Sequence, residues 1–79
     1  MGEIVLYGAN WCGDCRRAKA WLREHAVPFT EFDVEHDDAA RDRAVELAGG
    51  RKNIPVVLLP GGRVLVEPTN TELAAAVEV

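Results

Sequence analysis

Cys12 and Cys15 are the only thiols in this chain of 79 residues, and Gly13-Asp14 separates them within Trp11-Cys12-Gly13-Asp14-Cys15. Two thiols at this spacing either cycle between dithiol and disulfide or supply half of a tetrahedral metal site. The metal reading lacks ligands: the only histidines, His25 and His36, are separated by Pro28 and a strand-like run, with no ligand spacing. No metal is expected, and redox chemistry is what the residues favour.

The two sulfurs are not equivalent. A helix that starts at Cys12 or Gly13 sets the Cys12 sulfur over backbone N–H groups with no intrahelical partner, at the positive end of the macrodipole, which favours a thiolate. Cys15, one turn on, lies within bridging reach of Cys12 but among paired backbone groups and nearer the core. Cys12 is therefore expected to attack and Cys15 to resolve. Arg16 and Arg17 add positive charge nearby, whereas Asp14 opposes the thiolate and also suits the first helical turn as an acid.

The elements that must position these sulfurs follow from the pattern of apolar residues. Glu3 to Tyr7 is a nearly continuous apolar run, as a central strand buried on both faces would be, and Gly8 to Trp11 turns into the helix. The helix runs from about Cys12 to His25, with Cys15, Ala18, Leu22 and Ala26 on one face and Arg16, Arg17, Lys19, Arg23 and Glu24 largely around the other. Pro28 stops it. Phe29 to Val34 alternates as a half-buried strand should. Within Glu35 to Asp38 lies an N-cap for a second helix that turns Ala40, Ala44, Leu47 and Ala48 inward and ends at Gly49-Gly50. Val56 to Leu59, Pro60-Gly61-Gly62 and Arg63 to Val66 read as a hairpin. After Glu67-Pro68, one of Thr69, Asn70 or Thr71 caps a last helix with Leu73, Ala76 and Val77 inward. The order β-α-β-α-β-β-α predicts an α/β fold, a four-stranded mixed sheet flanked by helices.

Composition bounds the function. Residues 1–79 make one domain, short enough to bury only about 60% of the unfolded surface. A hydrophobic share of 48% with 28% charged residues suits a globular protein, and no apolar run reaches a membrane span. The net charge of −4 argues against nucleic acid as a partner. No leader-like stretch precedes the first strand, so a cytoplasmic protein is expected, and in a reducing compartment a cysteine pair is more often catalytic or metal-binding than a structural staple.

The order of elements, the tyrosine-ended first strand running into Trp11-Cys12-x-x-Cys15, Ile54-Pro55 opening the hairpin and Gly61-Gly62 at its turn together resemble a glutaredoxin of the thioredoxin fold. The likeness spans essentially the whole chain. More narrowly, Trp11-Cys12-Gly13-x-Cys15-Arg16-Arg17, Asp33-Val34-Glu35, Gly49-Gly50 before a basic residue, and Pro68-Thr69 resemble mycoredoxins, the glutaredoxin-like proteins that work with mycothiol. The chain is also similar to NrdH-type redoxins, which take electrons from thioredoxin reductase. The aromatic segment those carry near the last helix is replaced here by Glu67-Pro68-Thr69-Asn70.

The resemblance implies a thiol-disulfide oxidoreductase that reduces mixed disulfides between proteins and a small thiol, mycothiol or alternatively glutathione, as co-substrate. It implies that Cys12 takes the small thiol and releases the reduced protein, and that Cys15 can close an internal disulfide. Pro55 matches a cis-proline that presents the backbone of Ile54 to an extended substrate. Lys52 matches a basic position near the thiol groove, which Trp11 and Gly13 adjoin. Pro68, Thr69 and Asn70 match a loop whose N–H groups can receive a carboxylate or a sugar hydroxyl. Asp14 departs from the aromatic residue, and Asn53 from the Thr, that many glutaredoxins carry. No tightly bound cofactor is expected, and the partners are the small thiol, thiolated or disulfide-bonded proteins and, in the second reading, a flavoprotein reductase. The chain itself is expected to be a monomer. A third reading, of another class, is an iron–sulfur carrier in which Cys12 from two chains and two small thiols ligate a [2Fe–2S] cluster.

Overall fold

A computed structural model describes residues 3–77. The elements run β1 (Ile4–Gly8), α1 (Gly13–Glu24), β2 (Phe29–Asp33), α2 (Asp38–Leu47), β3 (Val56–Leu58), β4 (Val64–Val66) and α3 (Asn70–Val77). The sheet order is β2-β1-β3-β4; β1 runs parallel to β2 and antiparallel to β3, and β4 is antiparallel to β3. β1 is thus central, and its apolar continuity has its cause: both faces are covered. Ile4 and Leu6 pack with Ala18, Leu22 and Leu73, which places α1 and α3 on one face. Tyr7 and Val56 pack with Ala40, Ala44 and Ala48, which places α2 on the other. The mixed four-stranded sheet between three helices is the thioredoxin-like fold. Among the described residues no helix is long and apolar enough to cross a membrane.

Local chemistry sets the helix boundaries. Asp37 caps α2, its Oδ1 accepting the Ala40 N–H at 3.0 Å. Thr69 and Glu72 form a capping box at α3: the Thr69 N–H donates to Glu72 Oε1 at 2.8 Å and the Glu72 N–H to Thr69 Oγ1 at 3.1 Å. Both longer helices end in the same motif. At α2 the Gly49 N–H donates to the Glu46 carbonyl and the Gly50 N–H to that of Val45, with Gly49 at φ 72°. At α1 the Ala26 N–H donates to Arg23 and the Val27 N–H to Leu22, with Ala26 at φ 55°.

Three sequence expectations are corrected. Ala26 is exposed and lies beyond α1 rather than on its buried face, because the chain turns left-handed there before Pro28 can act. Lys19 is buried, not on the outer face: its ammonium donates to Glu31 Oε2 of β2 at 2.6 Å. β2 is an edge strand without a simple apolar-in, polar-out alternation. Glu31 answers Lys19 from one face, and Phe32, 39% exposed, stacks on Tyr7 at 5.5 Å between ring centroids.

Candidate functional site

The site is assembled where β1 delivers the chain into α1. Cys12 is the N-cap residue, with extended backbone angles (φ −82°, ψ 116°), and its Sγ accepts the N–H of Cys15 at 3.2 Å. A thiol sulfur takes the place that a Ser or Asp oxygen occupies in an ordinary cap. The Cys12 Sγ also lies 3.9 Å from the Ile54 carbonyl oxygen, so the loop before β3 reaches the sulfur directly. Cys12 retains slight exposure at 9%, whereas Cys15 has none.

Burial pushes the Cys15 thiol up to about 12, with the hydrogen bond to Cys12 and the charge of Cys12 adding to the effect. Cys15 therefore stays protonated near neutrality while it lies beneath Cys12. Its place on the inner side of α1 is made possible by Gly8: a Cβ there would stand 2.8 Å from Cys15 Sγ and 3.1 Å from Cys15 Cβ. The sequence showed Gly8 only as a turn residue; its clearance depends on how α1 lies across β1.

The other candidates fall on two flanks of Cys12. On one, Trp11, Lys52 and Ile54 line a cavity of about 670 Å³ that extends to α2. Trp11 is 66% exposed, and its indole Nε1–H donates to Glu35 Oε2 at 2.8 Å. Asn53 donates to Glu67 Oε1 at 2.6 Å, and the Glu67 N–H donates to the Pro55 carbonyl at 2.8 Å, so the loop before β3 is tied to the end of β4. The Ile54-Pro55 bond is cis, and Pro55 is buried.

On the other flank Arg17 gathers three positions. It donates to Asn70 Oδ1 at 2.7 Å and to the Pro68 carbonyl at 2.9 Å, and it stands 3.7 Å from Asp14. Arg16 donates to the Asn10 carbonyl at 2.9 Å, pinning the turn before the motif. Gly13 and Asp14 are exposed in the first turn of α1. The N–H of Thr69, expected to be offered to a ligand, is already taken by Glu72. Among the described residues no three His, Cys, Asp or Glu side chains cluster as a metal site would require.

A slightly exposed thiol at a helix cap, with a second, fully buried thiol beneath it, is the geometry of a thiol-disulfide couple. Residues 4–64 match the Glutaredoxin family. The chain belongs to the glutaredoxin family. A Mycobacterium tuberculosis protein named as a glutaredoxin is 32% identical over 72 residues, 91% of this chain and 86% of that one. The glutaredoxin of Archaeoglobus fulgidus shares the fold at 18% identity, with a TM-score of 0.85 over 100% of this chain and 89% of that one. A single-residue variant of a thioredoxin-like protein is similar at 28% identity and a TM-score of 0.86, over 100% and 99% of the two chains. As a glutaredoxin the chain is a thiol oxidoreductase.

Sequence reasoning about this glutaredoxin missed Gly8, Glu35, Glu72 and the anchoring part of Arg17. A signal existed for Glu72 alone, as the fourth residue of Thr69-x-x-Glu72. The contacts of Gly8, Glu35 and Arg17 join residues 7 to 53 positions apart, where no local pattern leads.

Proposed function

We propose that this glutaredoxin reduces mixed disulfides between proteins and a small thiol, and that the thiol is mycothiol. The observation that carries the chemistry is the N-cap position of Cys12, whose sulfur receives a backbone N–H and lies against the Ile54 carbonyl oxygen at the cavity edge. A donor aimed at a sulfur stabilises negative charge there. The Cys12 thiolate attacks the small-thiol sulfur of the mixed disulfide. The S–S bond to the protein substrate breaks, and that protein leaves as a thiolate that takes a proton. A second small-thiol thiolate then attacks the adduct, forms the small-thiol disulfide and restores Cys12. In the dithiol branch Cys15 gives up its proton, attacks Cys12 and expels the small thiol.

Charge near the sulfur supports mycothiol. Glutathione brings two carboxylates, whereas Asp14 stands beside Cys12 and the Thr69 N–H is held by the carboxylate of Glu72. A sugar-based thiol presenting hydroxyls meets no such repulsion. In this reading Trp11 and Ile54 border the small-thiol moiety, Lys52 contributes a donor at the rim, and Pro68, Thr69 and Asn70 border it from the other flank of Cys12. The protein works as a cytoplasmic monomer without a resident cofactor.

The test is reduction of a mixed disulfide in three coupled assays: one regenerating mycothiol, one regenerating glutathione, and one with thioredoxin reductase and no small thiol. Turnover with mycothiol alone is expected. Turnover with the reductase alone would replace this reading with that of a redoxin fed directly by a flavoprotein.

A further inference from the structure

Trp11 precedes the nucleophile, yet little packing holds it. With 66% of the residue exposed, its indole is oriented by one directional contact, the 2.8 Å bond from Nε1–H to Glu35 Oε2 across 24 positions of chain. A neutral donor on a carboxylate makes a charge-assisted bond, stronger than one between neutral groups. Glu35 is itself fixed. Its N–H donates to Asp33 Oδ1 at 2.9 Å, and the N–H of Val34 donates to the Gly8 carbonyl at 3.0 Å, so the start of the β2–α2 loop is fastened to β1. Trp11 and Glu35 both line the cavity of about 670 Å³, with Val34, Ala44, Val45 and Ile54 as its apolar wall.

We propose that Glu35 is a positioning residue that holds the Trp11 indole as the wall of the small-thiol cavity, so that affinity for the small-thiol half of the mixed disulfide depends on the Trp11–Glu35 bond. The proposal rests on the reading that this cavity receives the small thiol. A ring free to turn about its two side-chain torsions must be ordered when the ligand arrives, and that cost falls on binding. A ring already held by Glu35 offers its flat face at once to the C–H surface of a sugar ring. The sulfur chemistry at Cys12 does not pass through Glu35, so its removal falls on KM more than on kcat.

The experiment measures KM and kcat for a mixed disulfide of mycothiol and 2-mercaptoethanol in wild type, E35A, E35Q, W11A and E35A/W11A. The indole N–H resonances of 15N-tryptophan-labelled protein are recorded alongside. E35A is expected to shift the Trp11 indole resonance and raise KM about three- to tenfold, the scale of one lost hydrogen bond. E35Q, whose amide oxygen still accepts the indole N–H, is expected to restore KM to within about twofold. In W11A the further change to E35A is expected to add nothing. Equal increments from E35A with and without Trp11, or an E35Q variant as impaired as E35A, would overturn the proposal. So would an unchanged KM in E35A with its indole resonance shifted. If wild type turns over no small-thiol mixed disulfide, the functional reading fails and the proposal fails with it. Where wild type does turn over, a failure in the E35A series overturns the role of Glu35 alone.

Discussion

Gly8 and Cys15 touch so closely that a Cβ on Gly8 would stand 2.8 Å from the Cys15 sulfur, closer than such atoms sit in folded proteins. The last residue of β1 is therefore the floor on which the buried thiol rests. Gly8→Ala is expected to lower stability by about 1–3 kcal/mol, the range for an overpacked core. Urea unfolding checks it; an unchanged midpoint would mean that α1 lifts from the sheet at little cost.

Cys12→Ser is expected to abolish reduction of mixed disulfides, whereas Cys15→Ser spares much of it. Cys15 is held protonated by burial, with its pKa at about 12, so its thiolate fraction rises about tenfold per pH unit through neutrality. In a small-thiol adduct the hydrogen bond and charge of Cys12 no longer raise the Cys15 thiol but burial still does, so closure of the internal disulfide should accelerate as pH rises between about 7 and 9. Stopped-flow measurement of small-thiol release reads this directly. A pH-independent closure rate would show that Cys15 is deprotonated by another route.

Lys19 and Glu31 meet at 2.6 Å with side-chain exposures of 8% and 31%. Glu31→Gln keeps the shape but leaves a buried ammonium facing a neutral group, and is expected to cost about 1–3 kcal/mol, between the values for exposed and fully buried pairs. Lys19→Met, which keeps the stem and removes the charge, is expected to cost less. Chemical denaturation of both variants ranks them, and the reverse order would mean that the ammonium reaches water.

Ala26 occupies the left-handed position that glycine fills at the end of α2. Ala26→Gly removes the contact between Cβ and carbonyl that disfavours this conformation, against a gain in unfolded-chain entropy. A net stabilisation of up to about 1 kcal/mol is expected, seen as a higher Tm. A lower Tm would show that the entropy term wins.

His36, in the loop that carries Glu35, pairs at 2.8 Å with Asp33 at the end of β2. The hydrogen bond and then the charge of Asp33 raise the His36 pKa from 6.5, while the His36 bond and then the Glu35 N–H lower that of Asp33 from 3.8. The His36 contribution is fully present below pH 6.5 and is lost as pH rises through the raised value. The Asp33 contribution is present above pH 3.8 and is lost as pH falls through the lowered value. An NMR titration should find His36 above its ordinary pKa in wild type and close to it in Asp33→Asn. Identical curves would remove the pair from the loop's support.

Much of what depends on near neighbours along the chain was legible in the sequence by itself. The junction that lifts Cys12 onto a helix start, a cap within Glu35 to Asp38, the Gly49 terminus and the central β1 all follow from spacing, cap chemistry and apolar period, which act within a turn or two. Lys19 shows the limit. Its helical phase is polar, and only the sheet order that brings Glu31 beneath α1 makes its burial tolerable. Ala26 shows another: the same terminal motif was readable at Gly49, where the residue type announces it, and unreadable at alanine, where the surrounding chain imposes it. The clearance at Gly8, the grip of Arg17 on Pro68 and Asn70, and the bond from Trp11 to Glu35 were decided by tertiary structure alone. Each joins residues that meet through sheet order and helix placement, and no local pattern encodes which distant side chain will face which.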